Sequence, residues 1–369
     1  MGFFDFLKRD KIPDDPAELI RKRWVHHEDG TIRDTIRTGK NDSAAAIFSV
    51  RQFEAWFYGV EQRLGQSFGR RLAHAALEHE EFMLNQPGLN APSGRVPDNW
   101  SDYERDWQSR GLGRYSSLED EEASRLLVEH PASASICAGF LTAAWERATG
   151  TRHKFVWTQN AQAGLVVTLE SDDLESPAPK SQHVAWGDSD PGLTDLDQIE
   201  SVWEDLRLEA DGIWSIMHDR RMVLHRDLIL RFEEFCLPYI DGIKEGRQKM
   251  SWPLEDEQRS AWWTAAADSM RQTVFDSGIH ILVSKPEDWL SISSRHLGLN
   301  GLGLVENATQ ADAQGGVQLR LKGCFHPALS GGVLLACWER AHGRRGSLKC
   351  TFNSGAVHLL IGSSVTIAD

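Results

Sequence analysis

A chain of 369 residues with 41% hydrophobic and 9% aromatic content holds enough apolar material for two or three packed domains. Its 54 acidic residues against 40 basic ones leave a net charge of -14, which argues against tracking a nucleic-acid backbone, because phosphate binding needs a basic surface. Five scattered cysteines (Cys137, Cys236, Cys324, Cys337, Cys350), no CxxC pair and no secretory leader read as reduced thiols in a cytoplasmic protein. No apolar run approaches the roughly 18 residues of a spanning helix.

The chain opens on MGFFDFLKRD, a tip spanning residues 1–17 in which Phe3, Phe4, Phe6 and Leu7 stand beside Lys8 and Arg9. Such a segment docks weakly on lipid or a partner helix, or packs on its own domain. An Asp29-Gly30 turn follows, then two amphipathic helices, VRQFEAWFYGVEQRL and FGRRLAHAALEHEEFM, and an irregular stretch from Asn85 to Trp100. Gly111-Leu112-Gly113 starts a strand, SRLLVEH makes another, and a helix lies within residues 130–150. Phe140, Leu141, Ala144, Trp145 and Ala148 share one face of it, and Gly150 caps its end. HKFVWT and LVVTLE close the unit as strands.

Near the end of the chain the same pattern returns. Between 139–152 and 332–345, at a constant offset of 193, nine of fourteen positions are identical: Gly139, Leu141, Ala143, Trp145, Glu146, Arg147, Ala148, Gly150 and Arg152. About one match is expected by chance, so this is an internal repeat. Gly301-Leu302-Gly303 repeats the glycine-punctuated strand start, and Asp211-Gly212 repeats the turn. SLKCTF and VHLLIG repeat the closing strands around Asn353-Ser354-Gly355, a hairpin turn. The helix expected over 255–275 is set against irregular 85–100 as a point of divergence.

This order predicts an α+β protein of two tandem copies, each a helical half followed by an antiparallel sheet in β-β-α-β-β order, related by a pseudo-twofold. The units span 18–171 and 199–369, and the Ser-, Pro-, Asp- and Gly-rich residues 172–198 join them.

The glycines of the helical half (Gly65, Gly69), the Gly-Leu-Gly starts, the helices from Cys137 to Gly150 and from Gly332 to Gly343 with Glu146 and Glu339, and the hairpins after them resemble the 4-vinyl reductase domain, whose fold is shared with TRAPP trafficking subunits. The resemblance implies a ligand-sensing or assembly module. Its relatives bind small aromatic effectors, are linked to bacteriochlorophyll synthesis, or dimerise in trafficking complexes. Many carry metal-binding cysteines around the closing hairpin; 157–164 has none, so no metal or other cofactor is expected.

The functional expectation is a non-catalytic sensor or carrier of a hydrophobic or aromatic small molecule, acting through a partner protein, with Cys137, Phe140, Trp145, Cys337 and Trp338 as candidate ligand contacts or core residues. The alternative is an assembly scaffold, and a lesser one an enzyme or accessory factor in tetrapyrrole metabolism. Glu146 and Glu339 read as ion-pair partners rather than acid-base catalysts, and His130 and His326 as a repeated pre-proline turn. His26-His27 reads as a solvated loop and Cys324-Phe325-His326 as a half-buried strand edge rather than a metal site.

Overall fold

The computed structural model describes residues 15–36, 44–118, 124–160, 164–173, 177–186, 202–243 and 249–365. The apolar tip with Phe3, Phe4, Phe6 and Leu7, and much of 172–198, lie outside the described residues.

The first half runs α1 (Pro16–Arg23), β1 (Trp24–His26), β2 (Ile32–Asp34), β3 (Ala44–Ser49), α2 (Val50–Leu64), α3 (Gly69–Leu84), α4 (Ser101–Ser109), β4 (Arg114–Leu118), β5 (Ser124–Glu129), α5 (Ala134–Thr149), β6 (Arg152–Asn160) and β7 (Gly164–Asp172). The second runs β8 (Leu206–Ala210), β9 (Ile213–Ile216), β10 (Asp219–His225), α6 (Arg226–Cys236), β11 (Lys249–Ser251), α7 (Glu257–Asp276), α8 (Asp288–His296), β12 (Gly303–Gln310), β13 (Val317–Cys324), α9 (Pro327–His342), β14 (Gly346–Asn353) and β15 (Ala356–Ser363). Apart from α1 and β11, the order of elements is the same in both halves, and each closes in the expected β-β-α-β-β run. By this order α7 is the counterpart of α3, so the irregular 85–100 stretch is not its equivalent.

Local chemistry accounts for the helices. The Ser49 hydroxyl accepts from the Gln52 amide at the start of α2, Phe53, Trp56, Val60 and Leu64 form its buried stripe, and Gly65 ends it in the left-handed region. The helices α5 and α9 are apolar nearly all round because each lies between a sheet and another helix. Gly139 is required there: a Cβ would stand 2.2 Å from the Ala73 carbonyl oxygen of α3, and at Gly332 one would stand 2.4 Å from that of Ala267 in α7. Each C-terminal sheet has the same strand order, β4-β5-β7-β6 and β12-β13-β15-β14, the second extended by β11. The β11–β14 pair is parallel, a departure from the all-antiparallel expectation.

A third sheet differs most from the sequence reading. The N-terminal half of each unit is not helical throughout: its first three strands join those of the other unit in one six-stranded sheet, β1-β2-β3-β10-β9-β8. Its centre is the antiparallel β3–β10 pair, running from Ser49 opposite Arg221 to Ala45 opposite His225. The helices cross over as well, α2 packing on α7 and α3 on α6, so one continuous aromatic-rich core passes through both halves.

Candidate functional site

The two repeated glycine motifs meet each other across the halves. The Gly303 amide donates to the Gly30 carbonyl at 2.9 Å, and the Gly113 amide to the Gly212 carbonyl at 2.9 Å. Each Asp-Gly turn thus seats on the Gly-Leu-Gly of the opposite half. The Leu112 carbonyl then accepts from Cys137 Sγ of α5, and the Leu302 carbonyl from Ser330 Oγ of α9 at 2.7 Å.

Packing occupies all five residues singled out in the sequence. Cys137 holds Leu112, and burial pushes its thiol up to about 11. The Phe140 ring lies 5.7 Å from that of His79, with the Arg110 guanidinium 4.8 Å from its centroid. Trp145 packs on Trp100 and hydrogen-bonds His153 Nε2 through its indole nitrogen at 3.2 Å. Cys337 is buried, its thiol pushed up to about 12, and Trp338 donates to the Gly315 carbonyl at 2.8 Å.

The repeated glutamates hold the strand that follows their helix. Glu146 accepts from the His153 amide at 2.7 Å and from Arg152 at 2.7 Å, and Arg152 also bridges to Glu81 of α3. Glu339 accepts from the Gly346 amide at 2.9 Å, but its cation is Arg271 of α7. The histidines are not equivalent. His326 is the N-cap of α9, fully buried and 3.1 Å from Glu233, whereas His130 is exposed and lies three residues before the N-cap Ser133. The His26-His27 pair corrects the solvated-loop expectation: His27 is buried beside Asp29, and His26 Nε2 reaches the Leu299 carbonyl of the other half. Cys324, Phe325 and His326 likewise are fully buried, not half-buried at an edge, because β13 lies between β12 and β15. Among the described residues no group of three or more His, Cys, Asp or Glu side chains is placed to hold a metal.

Sequence reasoning missed a buried polar chain at the junction. Arg23 makes paired hydrogen bonds to Asp34 at 3.1 and 2.7 Å and an ion pair to Asp106 at 2.7 Å. Arg110 also pairs with Asp106, and takes Glu80 of α3 in a fork at 2.8 and 2.8 Å. From the second half, His225 reaches Asp34 at 3.1 Å, and its ring lies 5.3 Å from that of His79. His79 Nδ1 is 2.7 Å from Asp227, which also takes Arg231. Burial lowers the His79 pKa to about 4, so the ring is neutral at pH 7. A carboxylate-oriented histidine is the arrangement of a general base. Here the ring is fully buried against Phe140 and His225, out of reach of a dissolved substrate in this conformation.

A second buried group gathers around Glu233 of α6. Its carboxylate accepts from Trp263 Nε1 at 3.1 Å, pairs with Arg259 and faces His326. Trp263, His326 and Phe352 pack around the indole of Trp186, which residues 177–186 carry in, while Trp252 packs on Trp263 and Trp262 on His326. A lone tryptophan in a polar stretch was the available signal.

Partly open clefts among the described residues lie elsewhere. One of about 530 Å³ sits between α1 and α4, with Leu19, Ile36, Leu89 and Arg105 above Arg23 and Asp106. One of about 540 Å³ separates α2 from α7 beside Arg51 and Tyr58, and one of about 530 Å³ lies beside Arg320 and Lys322. None is lined by the five residues picked from the sequence. No helix among the described residues is long and apolar enough to cross a membrane. No family model, curated protein or solved structure matches this chain.

Proposed function

We propose that this chain is a non-catalytic assembly module: an internal pseudo-dimer that works by presenting surfaces to a partner protein. The resemblance to the 4-vinyl reductase domain and the trafficking subunits belongs to the same reading. The observation that carries it is the state of the helices on which a small-molecule pocket was expected. Trp145, Trp338, Phe140, Cys137 and Cys337 are all buried and engaged by neighbours in the core. Candidate residues taken up by packing support a surface function, since a carrier lines an apolar cavity of roughly a few hundred Å³ with such side chains.

The second reading, a sensor of an aromatic small molecule, is favoured by the aromatic cluster around Trp186. Native mass spectrometry followed by organic extraction separates the two. The assembly reading expects the bare 41.5 kDa chain, alone or in a protein complex. A stoichiometric small molecule carried through purification overturns it in favour of the carrier.

A further inference from the structure

Among the described residues the outer strands of the sheets are β1, β8, β4, β6, β11 and β12. A bare strand edge offers unpaired amides and carbonyls to another chain, and proteins blunt it by shortness, bulges or cover. Strands β1 and β11 have three residues each and β4 five, while β8 and β12 break register at Leu208/Ala210 and Leu304/Val305. Strand β6 has none of these devices. It runs nine residues, its pairing with β7 is unbroken from Arg152 to Asn160, and beyond Lys154 it carries no charge. Among the described residues no strand pairs with its outer edge.

The second half shows what such an edge takes. Glu146 holds the His153 amide and Glu339 the Gly346 amide, so β6 and β14 correspond at an offset of 193, with Phe155 matching Leu348. On β14 that edge is occupied: β11 lies along it in parallel with Met250 opposite Leu348, and Met250 packs on the core. Two residues on, Trp252 packs on Trp263 with ring centroids 5.3 Å apart and donates to the Thr264 hydroxyl at 2.9 Å. Among the described residues the first half has no counterpart of β11. Ala73 and Ala267 sit alike beneath Gly139 and Gly332, which sets Gly69 where Trp263 stands and Arg70 where Thr264 stands. A Cβ on Gly69 would meet only Ser135 Oγ, at 3.6 Å, so the start of α3 has room for a ring. The Arg70 guanidinium lies 5.8 Å from the Trp157 ring centroid and that of Arg71 3.9 Å from the Tyr239 centroid, and neither has a carboxylate partner among the described residues.

We propose that the outer edge of β6 is a docking site for an extended acidic segment of a partner protein, which adds as a parallel strand with an apolar residue opposite Phe155 and an aromatic residue two positions later. The inference rests on the assembly reading and names the chemistry of the partner. Main-chain pairing supplies the affinity and alternate side chains the specificity, as when an extended peptide lengthens a sheet. The apolar residue takes the place that Met250 has on Leu348, and the aromatic one that of Trp252, beside Gly69 and Arg70. Arg70 and Arg71 favour acidic residues around that aromatic, because complementary charge steers the encounter and fixes register.

The test titrates into the full-length chain a synthetic peptide in which Lys-Met-Ser-Trp, the sequence of residues 249–252, is flanked on both sides by aspartates. Calorimetry reads the affinity and amide hydrogen exchange the place. One peptide is expected to bind per chain and to slow exchange at least tenfold at the amides of residues 155–159 that face away from β7. N-methylation of the Met-Ser-Trp amides, or alanine in place of the peptide's tryptophan, is expected to weaken binding at least tenfold, and R70E in the chain at least threefold. Arg70 is exposed, so R70E keeps the fold. Absence of binding, equal affinity for the N-methylated peptide, or protection on β14 in place of β6 overturns the inference. So does protection of the same amides in the chain alone, which gives the edge to a second copy if native mass spectrometry finds a dimer and to the chain's own residues if it finds a monomer. Each of these results leaves the assembly reading standing, which falls to a small molecule carried through purification.

Discussion

Gly212 and Gly113 touch through their backbones across the two halves, the amide of Gly113 on the carbonyl of Gly212 at 2.9 Å, with Gly212 at φ +66°. A Cβ on Gly212 would stand 2.0 Å from the Gly113 oxygen, and one on Gly30 would stand 2.5 Å from that of Gly303. G212A and G30A are each expected to lose about 2–4 kcal/mol, from left-handed backbone strain plus the forced separation of the strands. G94A, at φ +80° but with nothing within 4 Å, controls for the strain alone and is expected to lose about 1 kcal/mol. Urea unfolding of the three variants reads the difference; equal losses would show that the contact does not hold the halves.

The buried pairs at the junction are expected to be costly to break from one side. Asp34 is fully buried beside Arg23 and His225; burial alone raises its pKa, but the charge and hydrogen bonds of these partners hold it well below the carboxylate range. D34N takes one of two carboxylates from Arg23, and Glu80→Gln one of two from Arg110, leaving Asp106 shared between the two buried cations. Each is expected to lower stability by about 3–5 kcal/mol. Denaturation midpoints at pH 7 check this, and a loss under about 1 kcal/mol would place water in the junction.

The same region sets an acid response. His79 titrates near 6.5 when unfolded and about 4 when folded, so between these values the unfolded chain binds a proton that the native chain refuses. Stability therefore falls as pH drops from 6.5 to 4, by roughly 3 kcal/mol from this residue alone, and is unaffected by it above pH 7. The groups facing the ring are Asp227 and Arg231 of α6, Glu80 of α3, Arg110, and His225 of β10. The stability difference between H79Q and wild type should change by that amount across the window; parallel pH curves would mean that His79 is charged in the fold.

Thiol chemistry offers a test of burial. All five cysteines are free and buried; burial raises Cys236 and Cys350, and pushes Cys324 and Cys337 up to about 12. With a disulfide reagent at pH 8, the native chain is expected to react more than about a hundredfold slower than the urea-unfolded chain, because the thiolate is the nucleophile. A fast-reacting thiol in the native state would reveal local opening, and its position would show where.

Trp338 fills the helix–sheet layer of the second half, with its indole nitrogen on Gly315. W338A is expected to destabilise by about 3–5 kcal/mol through the cavity it leaves. Under the assembly reading it leaves partner affinity unchanged in the fraction that stays folded, measured by calorimetry below its unfolding temperature. Lost affinity in that fraction would return the residue to the binding site.

The reach of the sequence follows from the range of the interactions involved. The helix α2 was legible to the residue because its stripe, its serine cap and its terminal glycine are all local, and the helix-and-hairpin ends of both units carried the repeat for the same reason. The strands β1 and β2 were not, since the three residues of Trp24–His26 or Ile32–Asp34 offer too few alternating positions to show a period. Glu146 was recognised as an ion-pair residue; that Arg152 serves it while Arg271 serves Glu339 depends on which helix lies alongside. His79 sat unremarked in an amphipathic helix because its partners come from the other half, 146 and 148 residues away. Composition and pattern by themselves determined an α+β chain with a repeated helix-and-hairpin segment and glycines at many of its turns. Only the tertiary structure decided that each Asp-Gly turn completes the opposite half, because a contact between two backbones leaves no side-chain pattern to read.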